Sequence, residues 1–337
     1  MVSMKRVMIP TCLALVIVAG TSLISSRAQA TRAPGQQPSA SGPPPSANPL
    51  NVALPKRYPA NQSTPIDGVP FDVGKQPYGV AFDGQCIWTA NSGDGTVTKL
   101  RPGNGKIVGS FKVGGAPVGL AFDGANIWVT NSDDATVTKL RASDGKVLGT
   151  FAVGKQPWWL AFDGANIWVA NFGDHGVTKL RASDGKNLGT FNTGGAIAVA
   201  FDGTYIWVST WYQGKVVRLK QDGSNAGTFK LNQARPLGLA FDGANIWVGD
   251  NQGTTVAKLR ASDGKVLGYF NIGGGAYGLA FDGANIWVAN GVELWKLRAS
   301  DGINLAVFTA LGGGSGVAFD GANIWVALAD KNTVLKF

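Results

Sequence analysis

The sequence predicts an all-β fold, and three of its features do so. A unit of about forty residues occurs seven times, its repeated Phe falling at 82, 122, 162, 201, 241, 281 and 319. Val, Ile, Thr, Phe and Trp fill short runs within each unit, and Gly, Asp and Asn punctuate them. No window carries a helical period. Each unit reads as four strands, as in "PVGLAF", "NIWVTN", "TVTKLR" and "KVLGTFAVG" of the second copy. Four strands in forty residues match one blade, so a seven-bladed β-propeller with four antiparallel strands per blade is expected.

From the start of the chain, residues 1–30 read as a signal peptide. Lys5 and Arg6 give a basic start, an apolar stretch runs from Val7 to Ile24, and Ala28-Gln29-Ala30 supplies the small-x-small cleavage pattern. A membrane anchor is the alternative, weakened by Pro10 and the small residues that close the stretch. Cys12 lacks the preceding small residues of a lipoprotein signal. Residues 31–62, rich in Pro, Ser, Gly, Ala and Gln, have little to bury and are expected to form a flexible linker. Residues 63–337 form the propeller. The expected protein is exported, periplasmic or secreted to the cell surface, monomeric and not membrane-spanning. Removal of the signal leaves Cys86 alone, so no internal disulfide can form. Taking Lys5, Arg6 and Arg27 from the formal charge of +9 leaves +6. With no dense basic cluster, no nucleic-acid partner is expected.

A linear β-solenoid would also repeat. The offset at the two ends favours a ring instead. Unit seven stops at its third strand, "TVLKF", and "STPIDGVPFDVG" (63–74) resembles a fourth strand with no unit ahead of it. The N-terminal strand is therefore expected to add to the outside of the C-terminal blade and close the circle. Within the units, Trp88, Trp128, Trp168, Trp207, Trp247, Trp287 and Trp325 recur at one place and are expected to wedge neighbouring sheets together. Seven Asp follow the repeated Phe in Asp-Gly pairs, and Asp144, Asp184, Asp222, Asp263 and Asp301 sit in the second turn, so most of the Asp are assigned to turn geometry.

The stretch "IWVTNSDDATVTKLRASDGKVLGTFAVG" (127–154) resembles the YVTN-type propeller repeat of exported bacterial and archaeal surface proteins. Trp128-Val129-Thr130-Asn131 stands where that family has Tyr-Val-Thr-Asn. Asn91, Asn171 and Asn290 match the final Asn, whereas Thr210, Asp250 and Leu328 depart from it. The region is similar, more distantly, to the streptogramin lyase propellers. The first resemblance implies a structural repeat with no particular activity. The second implies a seven-bladed ring and, for catalysis, a His assisted by carboxylates and a metal.

In such a ring the turns "FDGAN" and "RASDG" share one face, and the more variable loops share the other. Residues that break the repeat are the candidates for function. They cluster in blades 3 and 4: Gln156, Trp158, Trp159, Phe172, Asp174 and His175 in one, Trp211, Tyr212 and Gln213 in the next, and the repeat Asn171 beside them is counted with the site. Tyr78 and Tyr277 stand at entry loops elsewhere on that face. Aromatic faces beside amides and a carboxylate suit a glycan or a protein segment, and a non-enzymatic binding scaffold is the favoured reading. The alternative is a lyase or hydrolase at the channel mouth using His175, the sole histidine. Glu293, the only Glu, is expected roughly across the ring from it. No catalytic set, metal site or cofactor is expected: one His, one thiol and scattered Asp do not cluster. Asp133-Asp134 reads as a solvated turn ahead of a Ca²⁺ ligand pair, and "GGG" at 273–275 enters a strand and is no phosphate loop. Arg101, Arg141, Arg181, Lys220, Arg260 and Arg298 end the third strands and are expected to be paired or solvated.

Overall fold

The computed structural model describes residues 63–64 and 68–337; the expected signal peptide and linker lie outside the described residues. Five separate four-stranded antiparallel sheets occur in chain order. Blade 1 runs from Pro77–Phe82 to Ile107–Lys112, blade 2 from Pro117–Phe122 to Val147–Ala152, and blade 5 from Pro236–Phe241 to Val266–Asn271. Blade 3 comprises Pro157–Phe162, Asn166–Asn171, Gly176–Arg181 and Asn187–Asn192; blade 4 comprises Ala196–Phe201, Ile206–Thr210, Lys215–Leu219 and Asn225–Lys230. Blades 6 and 7 are fused into one sheet, because the 16-residue strand Asn304–Phe319 is the outer strand of the first and the inner strand of the second. The inner strand of each blade meets that of the next all the way round, so the seven blades form a closed ring.

Closure is made as the sequence implies. Val69–Asp72 pairs antiparallel with Thr333–Lys336, in the register Val69↔Lys336 to Asp72↔Thr333. The strand is shorter than the expected 63–74. Ser63–Thr64 leaves it and pairs in parallel with Val307–Phe308 on the outer edge of blade 6.

The core lies in the seams between blades. Trp88 of blade 1 packs with Leu120, Ile127, Val129 and Leu140 of blade 2. Trp128 does the same in blade 3, and Trp325 of blade 7 does so with Val80, Ile87 and Leu100 of blade 1. Each tryptophan is thus the wedge its spacing predicts. Its indole N–H donates to the Asp of its own Asp-Gly turn, as Trp128 Nε1 does to Asp123 Oδ2 at 2.7 Å, while Asp123 Oδ1 also accepts the backbone N–H groups of Ala125 and Asn126. The same arrangement holds in all seven blades. A buried indole N–H without an acceptor would cost about 1–3 kcal/mol, so these Asp do more than turn the chain.

Two further parts stitch the seams. An outer-strand Phe lies against the Trp of its own blade, with ring centroids 5.2 to 5.8 Å apart. In blade 7 that Phe is Phe71, from the closing strand. A third-strand Lys places its ammonium over the same indole and donates to a carbonyl in the next blade: Lys139 to Ala182 O at 2.7 Å, Lys258 to Ala299 O at 2.6 Å. Lys336 of blade 7 reaches Pro102 O of blade 1 at 2.9 Å, across the closing seam. The stem of such a lysine is buried along apolar surface while its charge is matched by a π face and a carbonyl.

Candidate functional site

The loops between second and third strands share a fixed frame. In blades 1, 2 and 3 an Asp accepts a backbone N–H from the entry connection: Asp94 from Lys75 (2.8 Å), Asp134 from Gly115 (2.7 Å) and Asp174 from Lys155 (2.6 Å). Asn91, Asn131 and Asn171 reach Thr side chains of the third strand. The next position is left-handed: Ala135 has φ 53° and His175 φ 58°. The carbonyl of His175 accepts the N–H groups of Thr193, Gly194 and Gly195, as that of Ala135 accepts Val153. The expected ligand contacts Asp174 and Asn171 therefore hold the loop, and Asn171 is fully buried. Asp134 is likewise a loop tie. What blade 3 adds to this frame is side chains: Phe172 in the slot of Ser92 and Ser132, and His175 in the slot of Gly95 and Ala135.

Blade 4 continues the substitution. Trp211 N–H donates to Gly195 O just as Phe172 N–H donates to Gln156 O, so Trp211 occupies the Phe172 slot. The rings touch in sequence. Trp158 lies 6.2 Å from Phe172, Phe172 stacks on Tyr212 at 5.4 Å and meets Trp211 edge-on at 6.3 Å, and His175 meets Tyr212 edge-on at 6.0 Å. Tyr212 is 60% exposed, and Gln156, Gln213 and His175 are exposed beside it. The Gln213 amide lies against the backbone of Gly194.

Trp158 and Trp159 sit on a bulge. Between the pairs Pro157↔Asn171 and Leu160↔Val169 the inner strand has two residues where its partner has one. In blade 2 the second bulge residue is Gly119, whose Cβ would lie 2.4 Å from Trp158 O. In blade 3 it is Trp159, 0% exposed and with no partner for its Nε1 among the described residues. Trp159 is therefore core, and Trp211 nearly so at 4% exposed. Trp158 belongs to a collar at the loop-face end of the inner strands. The equivalent residues Tyr78, Val118, Ile197, Leu237 and Tyr277 join it in one apolar cluster. Tyr78 and Tyr277, expected at entry loops elsewhere on that face, pack against the same core cluster as Trp158.

Elsewhere, Glu293 Oε2 accepts Trp295 Nε1 at 2.8 Å and Asn290 Nδ2 at 3.0 Å, a tie within blade 6. Burial pushes the Cys86 thiol above its ordinary pKa. Among the described residues, no group of three or more His, Cys, Asp or Glu could hold a metal ion, and no helix is long and apolar enough to cross a membrane. On the turn face, Arg141, Arg181, Arg260 and Arg298 pair with the Asp three residues on. A cleft of about 490 Å³ opens on the loop face at the seam of blades 7 and 1, lined by Lys75, Gln76, Gly93, Ala329, Asp330 and Asn332. Gln76 N–H donates to Asn332 Oδ1 at its wall, and none of the aromatic sector reaches it.

One position escaped the sequence reading. The slot of Gln76, Ala116, Gln156 and Gly195, whose carbonyls each accept the following loop's N–H, is filled in blade 5 by Arg235. Its guanidinium lies 5.1 Å from the Trp211 ring. Comparing repeats at that slot alone would have found it.

Fold and site together define a seven-bladed β-propeller with an aromatic sector on its loop face. Solved structures bear out the class. The chain is similar to the hydrazine synthase of Kuenenia stuttgartiensis (17% identity, TM-score 0.69, covering 83% of this chain and 98% of that one). It is similar to streptogramin B lyase (18%, 0.69, 80% and 96%). It is also similar to the β-propeller domain of Myceliophteria thermophila Cps50 (Swd1) (11%, 0.69, 80% and 99%). At these identities the likeness is one of fold. No family model matches the chain, the YVTN repeat included, and no curated protein matches it.

Proposed function

We propose that this protein is an exported, non-enzymatic binding scaffold of YVTN-like repeats that holds a glycan or a protein segment on its loop face at blades 3 and 4. The observation that carries this reading is the run of ring contacts from Trp158 through Phe172 to Tyr212 and His175, ending in a Tyr that is 60% exposed. A half-exposed aromatic set, ending in the exposed Tyr212, on a scaffold otherwise repeated seven times supports a partner more than it supports packing. The contacts of Asp174 and Glu293 described above are ties of the frame, so no specific observation favours the lyase or hydrolase alternative. Tyr212→Ala, Gln213→Ala and Gln156→Ala change exposed side chains and leave the core intact. The combined variant is expected to melt within about 2 °C of the parent, a surface effect, and to lose whatever binding the parent shows on glycan and peptide arrays. Binding unchanged by all three would move the site to the opposite face.

A further inference from the structure

We infer that the ligand of this sector is an acidic glycan, its uronate carboxylate held by Arg235 and its pyranose rings by Tyr212 and Trp158. This rests on the binding reading above. Seven arginines lie among the described residues. Five end third strands on the turn face. Arg218 is spent inside a seam, lying over Tyr205, Trp207 and Phe229 and donating to Ala261 O and Ser262 O. Arg235 is the one on the loop face, and among the described residues no carboxylate stands within ion-pair distance of it. Asp250, which begins the loop beside it, accepts the backbone N–H groups of Ala234, Arg235 and Gln252. A half-buried guanidinium placed 5.1 Å from an indole centroid and lacking an anion is available to a bidentate carboxylate.

Arg235 adjoins the aromatic run. It lies on Trp211, and Trp211 meets Phe172, which stacks under Tyr212. The carboxylate of a sugar acid bound at Arg235 therefore places neighbouring rings near the exposed Tyr212 and the half-buried Trp158, with Gln213 and Gln156 available to hydroxyls. An acidic peptide would also satisfy Arg235. Acidic peptide motifs, however, are held by clusters of arginines, and other peptides largely by side-chain pockets or open strand edges, whereas Arg235 is the one arginine on this face. Here Trp159 and Trp211 fill the space beneath the sector, and both strands that flank each loop are paired. Flat stacking faces beside amides suit sugars better.

The test is titration of the full chain with oligogalacturonate and oligoalginate, with their carboxyl-reduced neutral counterparts, and with polyglutamate. Parallel titrations use Arg235→Gln, Arg235→Lys and Tyr212→Ala. The uronates are expected to bind, about tenfold weaker for Arg235→Gln, as loss of a charge-assisted bidentate pair implies, and weaker still when reduced. Arg235→Lys retains only part of the affinity, and Lys106→Gln on the turn face changes nothing. No uronate binding, equal binding of the neutral sugars, or polyglutamate binding that matches the uronates overturns the inference. Binding of a neutral glycan or peptide that needs Tyr212 and ignores Arg235 overturns the inference alone. Binding that ignores both residues overturns the proposed function as well.

Discussion

At the scale of single residues, the Asp of the Asp-Gly turns bears the most weight. Asp320 accepts the indole of Trp325 and the backbone of Ala322 and Asn323. Burial pushes its carboxyl up, but the indole, backbone and Asn323 hydrogen bonds outweigh this and hold its pKa below the ordinary value; the same balance holds for Asp282. A folded-state pKa below the unfolded one contributes stability that is present above the unfolded value, about 3.9, and lost as pH falls through the folded one. The urea midpoint is therefore expected to drop steeply below about pH 4, and Asp320→Asn to flatten that drop while lowering stability at pH 7. An acid limb identical in parent and variant would show that this carboxylate is not its source. The sequence assigned these Asp to turns alone. Their indole partner lies five residues on, in the next strand, and the buried lysine above it has the look of a surface residue in "TVTKLR". Neither pairing is visible until strands are set side by side.

At the scale of elements, the outer strand and the second turn work as a pair across six of the seven seams; at the seam of blades 6 and 7 Phe308 meets Phe337 instead. The Phe of one blade occupies the space that a Cβ at the turn Gly of the next would need: at Gly105 that Cβ would lie 1.8 Å from Phe71 Cδ1. Gly84, also left-handed at φ 88°, has nothing within 4 Å of its Cβ position. Gly84→Ala is expected to cost about 1 kcal/mol from backbone strain, and Gly105→Ala about 3 kcal/mol or more, since the closing Phe must also move. Equal costs in chemical denaturation would sink the cross-seam account. Strand number, order and period were readable from the repeat. The fused strand Asn304–Phe319 was not, because its "GGGSG" run looks like a break, and the lone pairing of Ser63–Thr64 with blade 6 has no repeat to announce it.

At the scale of the whole molecule, the ring depends on one noncovalent joint. Val69–Asp72 supplies the outer ladder of blade 7, and Phe71 supplies the ring that covers Trp325. Deleting residues 63–73 is expected to lower the melting temperature by more than about 10 °C and to broaden the calorimetric transition, as an opened array unfolds piecewise. A sharp, unshifted transition would mean that the ring is held without this clasp. Repetition made the architecture legible and also marked blades 3 and 4 as the exceptions, since Phe172 and His175 stand where blades 1 and 2 have Ser, Gly or Ala, and Trp211 where they have Ser. Arg235 breaks the repeat at its slot and was legible there, but its contact with Trp211 and the burial of Trp159 stayed hidden because a linear string shows neither depth nor which loops face one another.

The collar of Tyr78, Val118, Trp158, Ile197, Leu237 and Tyr277 lines the loop-face end of the inner strands with apolar side chains in six blades, and Ser315 stands at the equivalent place in the seventh. Apolar surface therefore predominates towards the hub, and a polar guest on the aromatic side must draw its hydrogen bonds from the surrounding loops.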